Sequence, residues 1–112
     1  MNQIVPQSSQ GEIRSRDGTR LFYESIQHPE PKADVLVVHG FADHCGRYGG
    51  LAAHLHALGF SSHRYDYRGH GQSEGKRGHI YEFDEYVDDF NCLRDHLEGQ
   101  LEGDRPFFVL AH

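Results

Sequence analysis

Three short segments have the pattern of buried strands. Residues 34–40, DVLVVHG, form an apolar, β-branched run that ends in a glycine, and residues 107–111, FFVLA, form a second apolar run. Runs of this length are typical of strands that are buried on both faces, because a separate helix would need more residues. Residues 60–67, FSSHRYDY, are expected to form the strand between them, although they are more polar than a central strand usually is.

Two amphipathic helices are predicted between these strands, because apolar residues recur there at helical spacing. The apolar face of the first consists of Tyr48, Leu51, Ala52, Leu55 and Leu58. Gly59 follows where a left-handed C-terminal cap belongs. The stripe of the second helix consists of Phe83, Tyr86, Val87, Phe90, Leu93, Leu97 and Leu101. Gly103 and Pro106 are expected to end it.

The segment before the first buried strand predicts a β-hairpin. Two alternating segments flank Asp17-Gly18, a dipeptide that suits a two-residue turn because both turn positions need a positive φ. The later order of strand, helix, strand, helix, strand predicts the α/β class, with parallel strands and crossover helices. We expect residues 1–10 to be an N-terminal extension and residues 11–112 to belong to a single domain.

The composition narrows the classes of function. The chain has 37% hydrophobic and 25% charged residues and a formal charge of −6. This argues against a nucleic-acid partner, because phosphate contacts need a basic face. No stretch is apolar enough for a transmembrane segment and the N-terminus lacks a signal-peptide pattern, so a cytoplasmic protein with reduced cysteines is expected. The ten histidines show no metal-ligand spacing, so neither a metal nor another cofactor is expected.

The glycine-marked segments after the predicted strands are candidates for chemistry, because open parallel sheets bind ligands outside the carboxyl ends of their strands. A sharp turn at His39-Gly40 would leave the backbone N–H of Phe41 free to donate to a developing negative oxygen, as in an oxyanion hole. Taken alone, this dipeptide and the later RGHG segment could each be an ordinary turn. A phosphate-binding role for residues 69–75, GHGQSEG, is weaker because the segment matches neither glycine-rich phosphate motif.

Taken together, the order and spacing of these segments resemble the N-terminal part of the α/β-hydrolase superfamily. The resemblance is carried by VVHGFADHCGRYGGLAAHLHALGF, YDYRGHGQSEGKRGHI, YVDDFNCLRDHL and PFFVLAH, and it covers nearly everything from residue 11 onward. The pattern H-G-x-x-x-H-x-x-R-Y followed by D-x-R-G-H-G-x-S is similar to that of monoacylglycerol lipase and lysophospholipase-like serine hydrolases. The resemblance implies cleavage of carboxylic esters, with a small-molecule ester or lipid as substrate.

The resemblance also implies roles for the first loop. Phe41 would be a catalytic participant through its backbone N–H, as one donor of the oxyanion hole. Gly40 and Phe41 would contact the substrate, and His39 would support the geometry of the loop.

The second loop is implied to be structural support for the site. Asp66 precedes the position expected for the nucleophile, so it would hold the loop through a charge-assisted bond to Arg68 or to nearby amides rather than act as the triad acid. Gly69, His70 and Gly71 would complete this supporting loop.

In this family the strand in the position of FFVLAH runs into the nucleophile elbow, G-x-S-x-G. Ala111 would take the place of the first glycine and His112 would precede the serine, and the triad acid and histidine would follow. The remainder of the hydrolase domain is therefore the expected partner of this segment, which alone would be inactive. Two alternatives stay open: a non-catalytic fragment or interaction protein, and an epoxide hydrolase or dehalogenase with an aspartate nucleophile.

Overall fold

The computed structural model describes residues 8–38, 49–76, 83–101 and 105–111, and these ranges contain five strands and two helices. The elements are β1 (Ser8–Arg14), β2 (Arg20–Ile26), β3 (Asp34–Val38), α1 (Gly49–Ala57), β4 (Ser61–Tyr65), α2 (Phe83–Gly99) and β5 (Phe107–Ala111). Neither helix of these ranges is long and apolar enough to cross a bilayer.

The strands form one mixed sheet in the order β1-β2-β4-β3-β5. β3 lies between β4 and β5 and is parallel to both, whereas β2 is antiparallel to β1 and to β4. Leu36 in the centre of β3 aligns with His63 on one side and Val109 on the other. The predicted class, a hairpin followed by parallel strands with crossover helices, is confirmed. The burial predicted for residues 107–111 is wrong: β5 is the last strand of the described sheet, and Phe108, Val109 and Leu110 are 55%, 47% and 45% exposed.

The turn of the hairpin differs from the prediction. Ser15 and Thr19 close the hairpin, because the Ser15 N–H donates to the Thr19 carbonyl at 2.8 Å. The Gly18 N–H donates to the Ser15 carbonyl at 2.9 Å, and Gly18 has a φ of +89°. This is a three-residue loop with a left-handed glycine at its third position, and the predicted two-residue turn at Asp17-Gly18 is wrong.

β4 is polar in sequence but fully buried, and its His63 and Arg64 side chains have partners on neighbouring strands. His63 lies between the Ser25 hydroxyl, 2.7 Å from Nδ1, and the Asp34 carboxylate, 2.9 Å from Nε2. Arg64 forms an ion pair with Glu24 on the neighbouring strand β2. Buried polar groups are tolerated when they are paired in this way, which explains why a polar strand lies near the centre of the sheet.

α1 ends as its sequence predicts. Gly59 has a φ of +96° and its N–H donates to the His56 carbonyl at 3.0 Å, while the Phe60 N–H donates to the Leu55 carbonyl at 2.9 Å. This pair of hydrogen bonds is a Schellman cap, which satisfies carbonyls that the last helical turn leaves open.

α2 buries only the C-terminal part of the predicted apolar stripe. Leu93 and Leu97 belong to the main core, together with residues of β3 and β4. In the first turns, Phe83 is 72% exposed and Val87 is 40% exposed, whereas Asp89 is only 1% exposed. The N-terminal part of the predicted stripe therefore lies largely at the surface, and a carboxylate is buried there instead.

Candidate active site

The carboxyl edge of the parallel strands is the candidate site. β3, β4 and β5 end at Val38, Tyr65 and Ala111, and their parallel order brings these three ends to the same edge of the sheet. The segment that carries the predicted oxyanion donor follows β3, the strand between β4 and β5. His39, Gly40 and Phe41 lie outside the described residues, as does His112, so the roles given to them stay predictions.

The loop after β4 is described, and Asp66 lies at its start. Asp66 is 2% exposed, and its Oδ2 accepts a hydrogen bond from the backbone N–H of Gln72 at 2.8 Å. Gly71 has a φ of +49° and lies directly against this carboxylate, so a Cβ at Gly71 would overlap it. The loop thus turns back onto Asp66 at a position that only a glycine fits.

Further backbone bonds close the same loop. The Gly69 N–H donates to the Glu74 carbonyl at 2.8 Å, and the N–H of His70 donates to the Tyr67 carbonyl at 2.9 Å. Nδ1 of the buried His70 side chain lies 3.0 Å from the Arg68 carbonyl. The RGHG segment is therefore a compact, internally bonded turn beside the candidate site.

Ser73 lies in Gly71-Gln72-Ser73-Glu74-Gly75, which matches G-x-S-x-G. The structure does not place it as a nucleophile. Ser73 is 5% exposed; its hydroxyl donates to the Asp66 carbonyl at 2.6 Å and accepts from the Phe22 N–H at 2.9 Å. A nucleophile elbow exposes its serine on a strand-to-helix turn, whereas this serine is buried in a turn and joins β2 to the loop.

Asp66 was expected to hold the loop through a bond to Arg68 or to nearby amides; it accepts from the Gln72 amide, and Arg68 donates to three other carboxylates. Asp89 of α2 binds it through two hydrogen bonds, from Nε to Oδ2 and from Nη2 to Oδ1, both of 2.7 Å. Nη1 donates to Asp17 in the hairpin turn and to Glu85 of α2, both at 2.8 Å. The Ser15 hydroxyl also donates to Asp89. We call these five residues the Arg68 cluster.

The opposite charges of the Arg68 cluster stabilise one another. Arg68 is 6% exposed, and its hydrogen bonds to Asp89 raise the pKa of the guanidinium further above its ordinary value. Hydrogen bonding to Arg68 holds the pKa of Asp17 well below its ordinary value. Arg68 and Asp17 are therefore both charged at neutral pH. The signal that could have indicated the cluster is Asp89 itself, a charged residue inside the apolar stripe of α2.

A Ser–His–Asp arrangement also exists, at the opposite edge of the sheet. Ser25, His63 and Asp34 are linked in that order, and Arg105 donates to the second oxygen of Asp34. Ser25 is 4% exposed and lies inside β2, which pairs with strands on both sides. Its hydroxyl cannot reach a substrate, so this arrangement is a structural network rather than a catalytic triad.

Metal ligation has no support in the described ranges, since no three His, Cys, Asp or Glu side chains are grouped there in a way that could hold an ion.

The hairpin, the parallel order β4-β3-β5 with crossover helices, and the glycine-rich loop at the carboxyl edge define an α/β-hydrolase sheet. The chain belongs to the family described as "Serine aminopeptidase, S33", which matches residues 29–112. The resemblance inferred from the motifs is thereby confirmed.

Two curated relatives are lipases. Monoacylglycerol lipase of Mycolicibacterium smegmatis is 39% identical over 99 residues, which cover 85% of this chain and 34% of the relative. Monoglyceride lipase of Mus musculus is 36% identical over 111 residues, which cover 98% of this chain and 36% of the relative. The chain thus spans about a third of the length of these relatives, and its similarity to them supports a hydrolase of the lipase or esterase type.

A solved structure is similar in fold. A highly thermostable carboxyl esterase from Bacillus coagulans, in complex with glycerol, aligns with a TM-score of 0.78 at 23% identity. The alignment covers 91% of this chain and 35% of that chain.

Proposed function

We propose that this chain forms the oxyanion-loop part of a serine hydrolase that cleaves carboxylic esters, with a monoacylglycerol or a lysophospholipid as substrate. The observation that carries the proposal is the similarity to two monoacylglycerol lipases over 85% and 98% of the chain. The motif H-G-F after the buried strand β3 supports the assignment of the oxyanion loop, and a cytoplasmic location remains a prediction.

In the proposed reaction a serine attacks the ester carbonyl and a histidine accepts its proton, while an acidic residue orients that histidine. These three groups follow His112 in chain order if the protein follows the family pattern. The backbone N–H of Phe41 donates to the oxyanion of the tetrahedral intermediate. One such donor typically contributes about 2.7–4 kcal/mol of transition-state stabilisation.

His39 and Gly40 shape the turn that presents this amide, and Gly40 with Phe41 borders the substrate. Asp66 and its loop form the neighbouring wall. Two contacts are consistent with Asp66 holding this loop in place: Asp66 accepts a hydrogen bond from a loop amide, and the loop folds back on its carboxylate.

The proposal is tested on the full-length protein with two substitutions at one position. Phe41→Pro removes the backbone donor, because proline has no N–H, whereas Phe41→Ala keeps it. We expect Phe41→Pro to lower kcat for a nitrophenyl ester about 10²–10³-fold and Phe41→Ala to change it only a few-fold. Circular dichroism of both variants checks that they are folded.

Fatty-acid release from a monoacylglycerol and from a lysophosphatidylcholine identifies the substrate class. Equal loss of kcat in both Phe41 variants would remove the backbone assignment. Hydrolysis of an epoxide or a chloroalkane without any ester hydrolysis would remove the serine-hydrolase assignment as a whole.

A further inference from the structure

The Arg68 cluster joins three separate segments at the edge of the sheet where the candidate site lies. Asp17 belongs to the hairpin turn, Arg68 to the loop after β4, and Asp89 to the first half of α2. The hairpin turn precedes β2, which runs antiparallel to β4, so this turn lies at the carboxyl end of β4. The cluster therefore braces the candidate site from the side of β4.

The hydrogen bonds leave Arg68 a single orientation. A guanidinium has five N–H groups, and the five contacts of Arg68 to its carboxylates match that number. Asp89 and Asp17 each accept from Arg68 through both carboxylate oxygens, but the contacts of Asp89 are the shorter pair and its side chain is 2% exposed, whereas the side chains of Asp17 and Glu85 are 51% and 20% exposed. Among the three carboxylates, Asp89 is thus the buried anchor of the guanidinium.

The orientation of Arg68 is passed to its loop through the backbone. The Arg68 carbonyl lies 3.0 Å from Nδ1 of His70, and the next residue, Gly69, donates its N–H to Glu74. A Cβ at Gly75 would come within 2.8 Å of the Gly69 nitrogen, so the two limbs of the loop are in close contact. A displaced Arg68 would therefore displace the loop as a unit.

The loop after β4 starts at the carboxyl edge of the parallel strands. Because β3 and β4 are adjacent and parallel, their carboxyl ends are neighbours at this edge. We propose that Asp89 is a positioning residue of the active site: by fixing Arg68 it holds the loop after β4 in place at the edge of the sheet where the candidate site lies. This inference rests on the proposed function, because it assigns a role in that same site.

The test is Asp89→Asn in the full-length protein, with Asp95→Asn as the matched control. The amide introduced by Asp89→Asn is nearly isosteric with the carboxylate but places an NH2 group against an N–H of Arg68, so the two-pronged contact is lost. Asp95 lies on the same helix with its side chain 70% exposed. We expect kcat for the ester to fall about 10-fold or more in Asp89→Asn, with KM within about 2-fold, because a small misplacement costs the transition state more than the ground state. Asp95→Asn should retain both constants.

Two further variants separate positioning from folding. Ser15→Ala removes only the neutral hydrogen bond to Asp89 and should also lower kcat, but by a smaller factor than Asp89→Asn. Arg68→Lys keeps the charge but loses the fork, and combining it with Asp89→Asn should lower kcat by less than the product of the single effects, because both act through one contact.

Titration of reactive serines with a fluorophosphonate gives kcat per folded active site. An unchanged kcat per site in Asp89→Asn, or effects of Asp89→Asn and Arg68→Lys that multiply, would overturn the positioning role. A wild-type protein that neither hydrolyses esters nor reacts with the fluorophosphonate would instead overturn the proposed function.

Discussion

Replacement of Ser73 by alanine tests whether the G-x-S-x-G match at residues 71–75 is a nucleophile or a structural feature. The Ser73 hydroxyl donates to the Asp66 carbonyl at 2.6 Å and accepts from the Phe22 N–H at 2.9 Å. Both contacts are buried, and they connect the supporting loop to β2. The structure therefore assigns this serine a role in stability.

The expected cost follows from these two contacts. In Ser73→Ala the Phe22 N–H loses this buried acceptor, and a buried donor that loses its partner typically costs about 1–3 kcal/mol. With a urea m-value of about 1–3 kcal/mol/M, the midpoint of unfolding should fall by roughly 0.3–3 M. Ser9→Ala serves as the control, because Ser9 is exposed on β1 and its midpoint should not move.

The assay combines urea unfolding with fluorophosphonate labelling of the full-length protein. Below the unfolding transition, Ser73→Ala should still be labelled to the same stoichiometry as the wild type. Loss of labelling with an unchanged urea midpoint would refute the reasoning and make Ser73 the reactive serine.

Three further outcomes are expected. Gly71→Ala should destabilise the protein by several kcal/mol, because φ is +49° and the new Cβ meets the Asp66 carboxylate, whereas Gly50→Ala, in helix α1 with open space around it, should leave the melting temperature unchanged or raise it slightly. Burial alone would raise the pKa of Asp34, but hydrogen bonds from His63 and Arg105 outweigh it and hold the pKa below its ordinary value of 3.8. The charge of Asp34 thus stabilises the fold above about pH 4. In urea unfolding, the difference in the free energy of unfolding between wild type and Asp34→Asn should shrink as the pH falls through the folded-state pKa of Asp34. A difference that grew as the pH fell would contradict this network. The 112-residue segment alone should not turn over a nitrophenyl ester, and measurable turnover by the pure segment would count against the assignment.

Elements set by local periodicity were predictable. β3 and β5 form strands at the predicted apolar runs, although only β3 is buried as predicted. The C-terminal part of α2 carries Leu93 and Leu97 at the spacing that faces a core. The cap at Gly59 was also predictable from local sequence, because the left-handed residue at the end of a helix is usually a glycine, whatever the helix packs against.

Features that depend on tertiary pairing were not predictable. The hairpin turn follows from the closing pair Ser15 and Thr19, which the dipeptide Asp17-Gly18 does not specify. The partners of Arg68 come from a turn 51 residues earlier and a helix 21 residues later, and no local pattern joins them.

The candidate site was predictable to the extent that its motifs are local. The turn at Gly71 and the buried Asp66 lie where the RGHG segment placed them, at the end of β4. The burial of Ser73 could not be predicted from the sequence, because the motif G-x-S-x-G also occurs in nucleophile elbows, where a helix follows and the serine is exposed.

The most direct test of the account is a crystal structure of the full-length protein with a phosphonate bound covalently to its reactive serine, since the phosphonyl oxygen occupies the place of the oxyanion. The account predicts that the backbone nitrogen of Phe41 lies about 2.7–3.1 Å from that oxygen. An amide of Phe41 that points away from the phosphonate, or that donates to another backbone carbonyl, would contradict the central claim.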